Sequence, residues 1–213
     1  MGGRRMVSAQ EALDRLRAGN QRFAAGIGAG RSIGAAPAEL ADGQEPFAIV
    51  LGCSDSRVPA EIVFDQGLGD LFVIRVAGNI VAPSQIGSVE FAVTSFATQL
   101  VVVLGHSNCG AVLTTVEQLQ APTDNRSRNL RSIVNFIRPS VEHCIRAGTH
   151  EHQDALVERA VRANIHASVR HLRRDSEILQ EFISENRLRI VGAEYSLDTG
   201  KVEFLDDAGG NTG

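Results

Sequence analysis

The sequence contains no tryptophan, a single tyrosine and only three cysteines in 213 residues. Three cysteines are too few for a disulfide framework, so we expect reduced thiols that are free to hold a metal ion. No apolar run approaches the roughly 18 residues that a membrane-spanning helix needs, and residues 1–6 lead into a polar helix rather than a signal-peptide core. The net charge of −4 is small and mixed in sign, so neither nucleic acid nor membrane is expected as a partner. These absences predict a soluble, cytoplasmic protein.

The sequence does have enough apolar material for one core, since 43% of its residues are hydrophobic. At this length we expect a single domain over residues 1–213, in which residues 1–30 form an N-terminal helical arm and linker. Ser8 followed by Glu11 has the form of a capping box, and apolar residues then recur at helical spacing. The glycine-rich link at 26–30 leaves room for this helix to pack as an arm on a second subunit, which we hold as a hypothesis.

Short apolar runs rich in β-branched residues alternate with longer segments of helical periodicity. The first three runs predict buried strands, and the last two, joined by a turn, predict a hairpin; the runs are 47–51, 71–76, 100–104, 188–195 and 202–205. Strands separated by helices indicate an α/β fold with a mostly parallel central β-sheet, an antiparallel edge strand and flanking helices.

Two expectations concern the helices in the second half of the chain. Pro139 should interrupt a helix that begins near Asn125, because proline lacks the N–H that a helix interior needs. Between Thr149 and Val191 there is neither glycine nor proline, so one long helix or two end-to-end helices should occupy that segment.

Two loops that leave predicted strands carry thiols and an imidazole. Cys53 follows the first run, and His106 and Cys109 follow the third. Adjacent parallel strands would bring them within a few ångströms, and three such ligands make a zinc site that keeps one coordination position for water. Two alternatives stay open from these residues alone. Either the cysteines are small buried side chains beside a turn histidine, or one cysteine is a nucleophile with His106 as its base.

Asp55 and Arg57 follow the first thiol closely. Asp55 could accept a hydrogen bond from a metal-bound hydroxide and so direct its lone pair, while Arg57 could keep Asp55 ionised through a bidentate pair. A carboxylate so near the metal could instead become the fourth ligand in a closed state and expel the water. We expect Arg57 to decide between these two states.

The two loops closely resemble those of the β-class carbonic anhydrases, in the segments Cys53-Ser54-Asp55-Ser56-Arg57-Val58 and His106-Ser107-Asn108-Cys109-Gly110. The resemblance covers roughly residues 9–205. It implies a zinc lyase that interconverts carbon dioxide and bicarbonate, built as a homodimer or a homotetramer (a dimer of dimers) with each site at a subunit interface. It also implies that Cys53, His106 and Cys109 bind Zn²⁺ and that Asp55 and Arg57 form the catalytic dyad.

The resemblance further implies a substrate pocket formed by Gln44, Phe72, Ala77, Phe91 and Gly110. Phe91 stands where the plant type has tyrosine and Ala77 where it has valine, so we expect an apolar pocket of altered shape. From the residues alone, Gln44 reads equally well as a surface turn residue, and both phenylalanines as plain core.

The bicarbonate-inhibited bacterial type of this family uses a tryptophan, an arginine and a tyrosine to bind an allosteric ion. In this sequence Val50 stands at the place of the tryptophan, while Arg75 and Tyr195 match the other two positions. We therefore do not expect that form of allosteric inhibition.

The expected reaction is hydration of carbon dioxide: zinc-bound hydroxide attacks carbon, bicarbonate leaves, and a proton passes to buffer. An alternative is hydrolysis of carbonyl sulfide or carbon disulfide at the same zinc site. A reading from a different class is a structural or sensory zinc module without turnover, for which replacement of Asp55 would have no effect.

Overall fold

The computed structural model describes residues 6–27, 40–121, 127–147 and 152–205, and a five-stranded sheet lies at its centre. In chain order the strands are β1 Ala48–Gly52, β2 Leu71–Arg75, β3 Leu100–His106, β4 Arg189–Tyr195 and β5 Val202–Leu205. Their spatial order is β2-β1-β3-β4-β5. The first four strands run parallel and β5 pairs antiparallel with β4. The predicted α/β fold with an antiparallel edge strand is therefore confirmed.

Helices cover both faces of this sheet, which is why its strands read as continuous apolar runs. Side chains of β1 alternate between two cores, with Ile49 and Leu51 on one face and Ala48 and Val50 on the other. None of the helices within the described ranges is both long and apolar enough to cross a membrane. The helices are α1 Ala9–Ala24, α2 Ala60–Val63, α3 Pro83–Phe96, α4 Gly110–Gln120, α5 Arg128–Ala147, α6 Gln153–Arg174 and α7 Glu177–Ser184, with a 3₁₀ turn at Ala77–Asn79.

Helix α1 begins where the capping pattern predicts, since the Ser8 hydroxyl accepts a hydrogen bond from the Glu11 N–H at 3.2 Å. Its apolar face packs on the chain's own sheet, where Leu13 and Leu16 share a core cluster with Val50. The hypothesis that α1 packs as an arm on a second subunit is therefore wrong for this face. Helix α2 has only four residues, so α1 is needed to cover that side of the sheet. Residues 28–30 of the predicted linker lie outside the described residues.

Helix α5 runs through Pro139 without a break, contrary to the prediction. Proline removes the N–H that would donate to the carbonyl of Asn135. Both residues lie on the exposed face of α5, so water can satisfy that carbonyl. The opposite face, which includes the fully buried Ile137 and Val141, packs into the core and keeps the helix continuous. The predicted start near Asn125 lies outside the described residues.

The segment that follows forms two helices, α6 and α7, which was one of the two predicted arrangements. They are separated at Ser176, whose hydroxyl accepts a hydrogen bond from the Leu179 N–H and so caps α7. Thr149, where the segment was predicted to begin, lies outside the described residues.

Strand β1 lies between β2 and β3 in the sheet. After β1 the chain continues to β2 on one side of it and then crosses over to β3 on the other side. The connections after β1 and β3 therefore leave the carboxyl edge of the sheet in opposite directions, with a crevice between them. In open α/β sheets this crevice is where ligands bind. Cys53 follows β1 directly and His106 ends β3, so the strand order places both residues at the crevice.

Candidate metal centre

The structure brings together the two thiols and the imidazole that the sequence predicts as metal ligands. One S or N atom from each of Cys53, His106 and Cys109 lies within 4.8 Å of the other two. The pairing of Gly52 with Leu104 sets the two strand ends side by side, and Cys109 then caps the start of α4. All three side chains are buried. Sulfur and imidazole nitrogen at this spacing suit a tetrahedral zinc site with one position left for water.

The hydrogen bonding of His106 leaves one ring nitrogen available to a metal. Its Nδ1 lies 2.9 Å from the carbonyl oxygen of Ser107, which can only accept, so Nδ1 carries the proton. The other nitrogen, Nε2, is buried and has no hydrogen-bond partner. A buried lone pair without a partner is unfavourable, and a metal ion between Nε2 and the two sulfurs would satisfy it. The residues present therefore fit a divalent metal.

The protonation of the two thiols also suits a cation. A hydrogen bond from Cys109 lowers the pKa of Cys53 to about 4 against the opposing effect of burial, and the Gly78 N–H, 3.3 Å from the sulfur, acts in the same direction. The same S–H···S hydrogen bond, together with burial, raises the pKa of Cys109. The pair therefore favours one thiolate and one thiol joined by a hydrogen bond. A bound divalent metal would displace the thiol proton, because the thiolate is the form that ligates.

Asp55 and Arg57 form a bidentate pair beside the ligands. Arg57 donates from Nε to Oδ1 at 2.9 Å and from Nη2 to Oδ2 at 2.7 Å, and its backbone N–H donates to Oδ1 at 3.0 Å. These bonds hold the pKa of Asp55 well below its usual range. The Oδ2 atom lies 3.9 Å from Nε2 of His106. An ionised carboxylate therefore faces the ligand cluster, while its counter-ion is on the solvent side.

Further hydrogen bonds fix the two loops in place. Arg75, the last residue of β2, donates from Nε to the carbonyl of Cys53 at 3.1 Å and from Nη2 to that of Asp55 at 2.7 Å. The Ser107 hydroxyl accepts from the Leu197 N–H at 2.9 Å and ties the second loop to the segment after β4. The role of Arg75 in holding the Cys53 loop was not predicted. A signal was present, because Arg75 ends the strand that neighbours β1.

Known proteins resemble this chain over the segment that carries these residues. A family model described as "Carbonic anhydrase" matches residues 48–202. Carbonic anhydrase 2 of Mycobacterium tuberculosis is 40% identical over 195 residues, which are 91% of each chain. The β-carbonic anhydrase CafA of Aspergillus fumigatus has a TM-score of 0.74 and 26% identity, over 92% of each chain. This chain belongs to the β-carbonic anhydrase family. A solved structure of the tetrameric β-carbonic anhydrases of Sordaria macrospora agrees, with a TM-score of 0.68 and 25% identity over 88% of this chain and 93% of that one.

Two of the five predicted pocket residues of this β-carbonic anhydrase lie beside the ligands. Ala77 begins the 3₁₀ turn whose next residue, Gly78, donates to the Cys53 sulfur. Gly110 begins α4 directly after Cys109, and a Cβ added there would meet no atom within 4 Å. Gly110 therefore borders open space next to the cluster.

The other three predicted pocket residues lie away from the ligands of their own chain. Gln44 is exposed in a cavity at the amino ends of the strands, which Phe47 and Thr98 also line. Phe72 pairs in register with Ile49, which precedes Cys53 by four residues. Phe72 therefore lies about 13 Å from the level of Cys53, measured along the strand. Phe91 is 53% exposed, and its ring centroid lies 6.2 Å from that of Phe72. The single chain does not bring these three side chains to its own metal centre.

Proposed function

We propose that this β-carbonic anhydrase holds Zn²⁺ with Cys53, His106 and Cys109 and catalyses reversible hydration of carbon dioxide to bicarbonate and a proton. The observation that carries the proposal is the buried, unpartnered Nε2 of His106 beside two sulfurs and an ionised carboxylate. Thiolate and imidazole ligands are typical of zinc, and three of them leave a position for solvent. Family membership supports the reaction.

When bound, Zn²⁺ supplies the Lewis acidity that makes water a nucleophile near neutral pH. Asp55 and Arg57 then direct that nucleophile, and we assign them as the catalytic pair. The Asp55 carboxylate, 3.9 Å from Nε2 of His106, can accept a hydrogen bond from the attacking water and so orient its lone pair towards carbon dioxide. Arg57 keeps the carboxylate ionised and fixes its plane through two hydrogen bonds.

Asp55 as a fourth ligand in a closed state stays a prediction. In the structure both carboxylate oxygens accept hydrogen bonds from Arg57, so Asp55 would have to break that pair to reach the metal. Crystals of the zinc protein grown at low pH would test this. Four protein ligands around zinc would support the closed state, and an intact Asp55–Arg57 pair beside a zinc-bound water at that pH would contradict it.

We also propose that the working enzyme is a homo-oligomer, a dimer or a dimer of dimers. Phe72, Phe91 and Phe96 form an aromatic cluster with centroids 5.7–6.2 Å apart, which adjoins the edge strand β2. Phe91 is largely exposed, and Gln44 and Phe96 line a common cavity nearby. A second copy that covers this surface would bury it and would supply Gln44, Phe72 and Phe91 to the metal centre of its partner. The Sordaria macrospora relatives are described as tetrameric.

The oligomer can be tested with Phe91→Ser. Analytical ultracentrifugation should show a dimer or tetramer for the wild type and a shift towards monomer for the variant, because the change removes apolar area from the interface. Leu130→Ser, at an equally exposed leucine on α5, is the matched control and should leave the mass unchanged. A wild-type monomer at micromolar concentration would refute the proposal.

Metal analysis combined with stopped-flow carbon dioxide hydration tests the activity. We expect about one zinc per chain, loss of activity on chelation and recovery on addition of zinc. Asp55→Asn should lose most of the rate while it retains zinc. Asp65→Asn is the matched control, because Asp65 forms an ion pair with Arg22 on another part of the fold. Absence of stoichiometric zinc, or full activity in Asp55→Asn, would contradict the proposal.

Hydrolysis of carbonyl sulfide or carbon disulfide at the same site stays the alternative. Assay of sulfide release beside carbon dioxide hydration, with the same zinc-loaded protein, decides between them. A cytoplasmic location is likewise our proposal. It is supported by the cysteines Cys53, Cys109 and Cys144, none of which forms a disulfide, as suits a reducing compartment.

A further inference from the structure

Two buried polar side chains of α6 hold the turn that donates a hydrogen bond to Cys53. Asn164 donates from Nδ2 to the carbonyl of Gly78 at 2.8 Å, and Ser168 donates from Oγ to the carbonyl of Asn79 at 2.9 Å. Asn164 is 2% exposed and Ser168 is 4% exposed. Because they are four residues apart on a helix, the two side chains lie one above the other on the same face. Together they clamp two successive carbonyls of the 3₁₀ turn.

The turn has a backbone conformation that needs support. Gly78 has a φ of 71°, and Asn79, which carries a side chain, has a φ of 43°. Glycine enters this left-handed region freely, and asparagine does so more readily than most residues with a side chain, so a few hydrogen bonds from the surrounding structure suffice to select it. The bonds from Asn164 and Ser168 hold the carbonyls of Gly78 and Asn79. The Gly78 N–H, 3.3 Å from the Cys53 sulfur, belongs to the preceding peptide, so the clamp acts on its direction through the backbone dihedral angles of Gly78.

The composition of the buried face of α6 sets these two residues apart. Asn164 and Ser168 are the polar residues among the buried positions of α6. The remaining buried positions are all apolar: Leu156, Val157, Ala160, Val161, Ile165, Val169 and Leu172. An apolar side chain would pack at either position, but it would leave a buried carbonyl of the turn without its donor. The polar side chains at these positions therefore provide hydrogen-bond donors for the turn and are not needed for packing of the helix.

We infer that Asn164 and Ser168 are positioning residues that tune the metal of this site through the Gly78 N–H. This inference rests on the proposed metal binding by Cys53. An N–H···S hydrogen bond withdraws electron density from a thiolate, so the bound metal receives less density and stays a stronger Lewis acid. If the clamp is removed, the turn can relax, the N–H···S bond weakens, and the sulfur becomes a more electron-rich ligand.

The test uses full-length Ser168→Ala and Asn164→Leu with two measurements that do not depend on catalysis. Zinc affinity is measured by competition with a chromophoric chelator, and sulfur-to-metal charge-transfer absorption is measured after Co²⁺ substitution. Thr98→Val is the matched control, because Thr98 is also a buried hydroxyl that donates to a carbonyl, that of Pro46, at the opposite end of the sheet. Circular dichroism confirms folding.

We expect each clamp variant to shift the charge-transfer band to lower energy, because the sulfur is then more electron-rich. Zinc should bind about 10- to 100-fold more weakly, because the loss of a fixed position for the Cys53 sulfur outweighs its greater donor strength. Thr98→Val should change neither quantity. If Asn164→Leu does not fold, Ser168→Ala carries the test, since it removes a single oxygen atom. Charge-transfer bands that stay at the wild-type position in the folded clamp variants overturn the inference, whatever the affinity. A wild-type protein that binds no metal overturns the proposed function, and the inference with it.

Discussion

Replacement of Gly78 by alanine tests whether the turn beside Cys53 has room for any side chain. An added Cβ would lie 2.7 Å from Cδ1 of Ile137 and 3.0 Å from Cβ of Ala111. Gly78 also has a φ of 71°, where a side chain is disfavoured. The left-handed conformation costs alanine about 1–2 kcal/mol, and overpacking of a filled core adds about 1–3 kcal/mol. We expect the free energy of unfolding to fall by about 2–5 kcal/mol.

Urea unfolding of the metal-free protein, followed by far-UV circular dichroism, measures this loss. The double variant Gly78→Ala/Ile137→Val removes the Cδ1 atom that the new Cβ would strike. Ile137→Val alone should cost about 0.5–1.5 kcal/mol, yet the double variant should lose about 1 kcal/mol less than the sum of the single losses. Gly87→Ala, at an exposed helical glycine with no atom within 4 Å of the added Cβ, should gain about 0.5–1 kcal/mol.

Two results would refute this reasoning. Wild-type stability in Gly78→Ala would mean that the turn tolerates a side chain and that its backbone is not held as described. Strict additivity in the double variant would mean that Ile137 is not the obstacle, and the loss would then come from the backbone conformation and the contact with Ala111. Failure of Gly87→Ala to stabilise would leave both conclusions intact, because it reports on α3 only.

Three other predictions concern ion pairs and a helix cap. Arg57 lowers the pKa of Asp55, so the ion pair stabilises the fold above about pH 4. The difference in urea midpoint between the metal-free wild type and Arg57→Ala should therefore be largest near pH 7 and should shrink towards pH 3. Ser8→Ala should cost about 1 kcal/mol and Ser8→Gly only a few tenths, measured by the same unfolding assay. Arg162→Met leaves Glu194, whose side chain is 8% exposed, without its 2.7 Å ion pair to an arginine that is itself 40% exposed. We expect a cost of about 1–3 kcal/mol near pH 7. Burial already raises the pKa of Glu194, and loss of Arg162 raises it further, so protonation should shrink that cost towards pH 5; a pH-independent loss would contradict it.

The sheet and the metal ligands could be predicted from the sequence because both are encoded locally. Apolar β-branched runs located both ends of β1, β2 and β3 to within two residues. Cys53, His106 and Cys109 lie in the loops that follow two of these runs. Parallel pairing brings the three residues together, because the carboxyl ends of neighbouring strands meet at one edge of the sheet. The Asp55–Arg57 pair was equally accessible, because its members are only two positions apart in the sequence.

The features that the sequence did not reveal depend on contacts between distant segments. Continuity of α5 through Pro139 depends on which face of the helix is solvated, and that face is set by packing. The clamp on the 3₁₀ turn joins residues 86 positions apart, from Asn164 to Gly78. A polar pair at i and i+4 within an apolar helical stripe was visible in the sequence, but its partner carbonyls were not.

The structure separates the groups that we propose to hold the metal from those that we propose to enclose the substrate. The ligands, Asp55 and Gly110 lie at the carboxyl edge of the sheet within one chain. Gln44 lies at its amino edge, and Phe91 is exposed beside strand β2. Metal affinity should therefore be a property of the single chain, because its donors are all local, whereas turnover should depend on assembly. A Phe91→Ser monomer that binds zinc as tightly as the wild type but hydrates carbon dioxide slowly is the outcome that this separation requires.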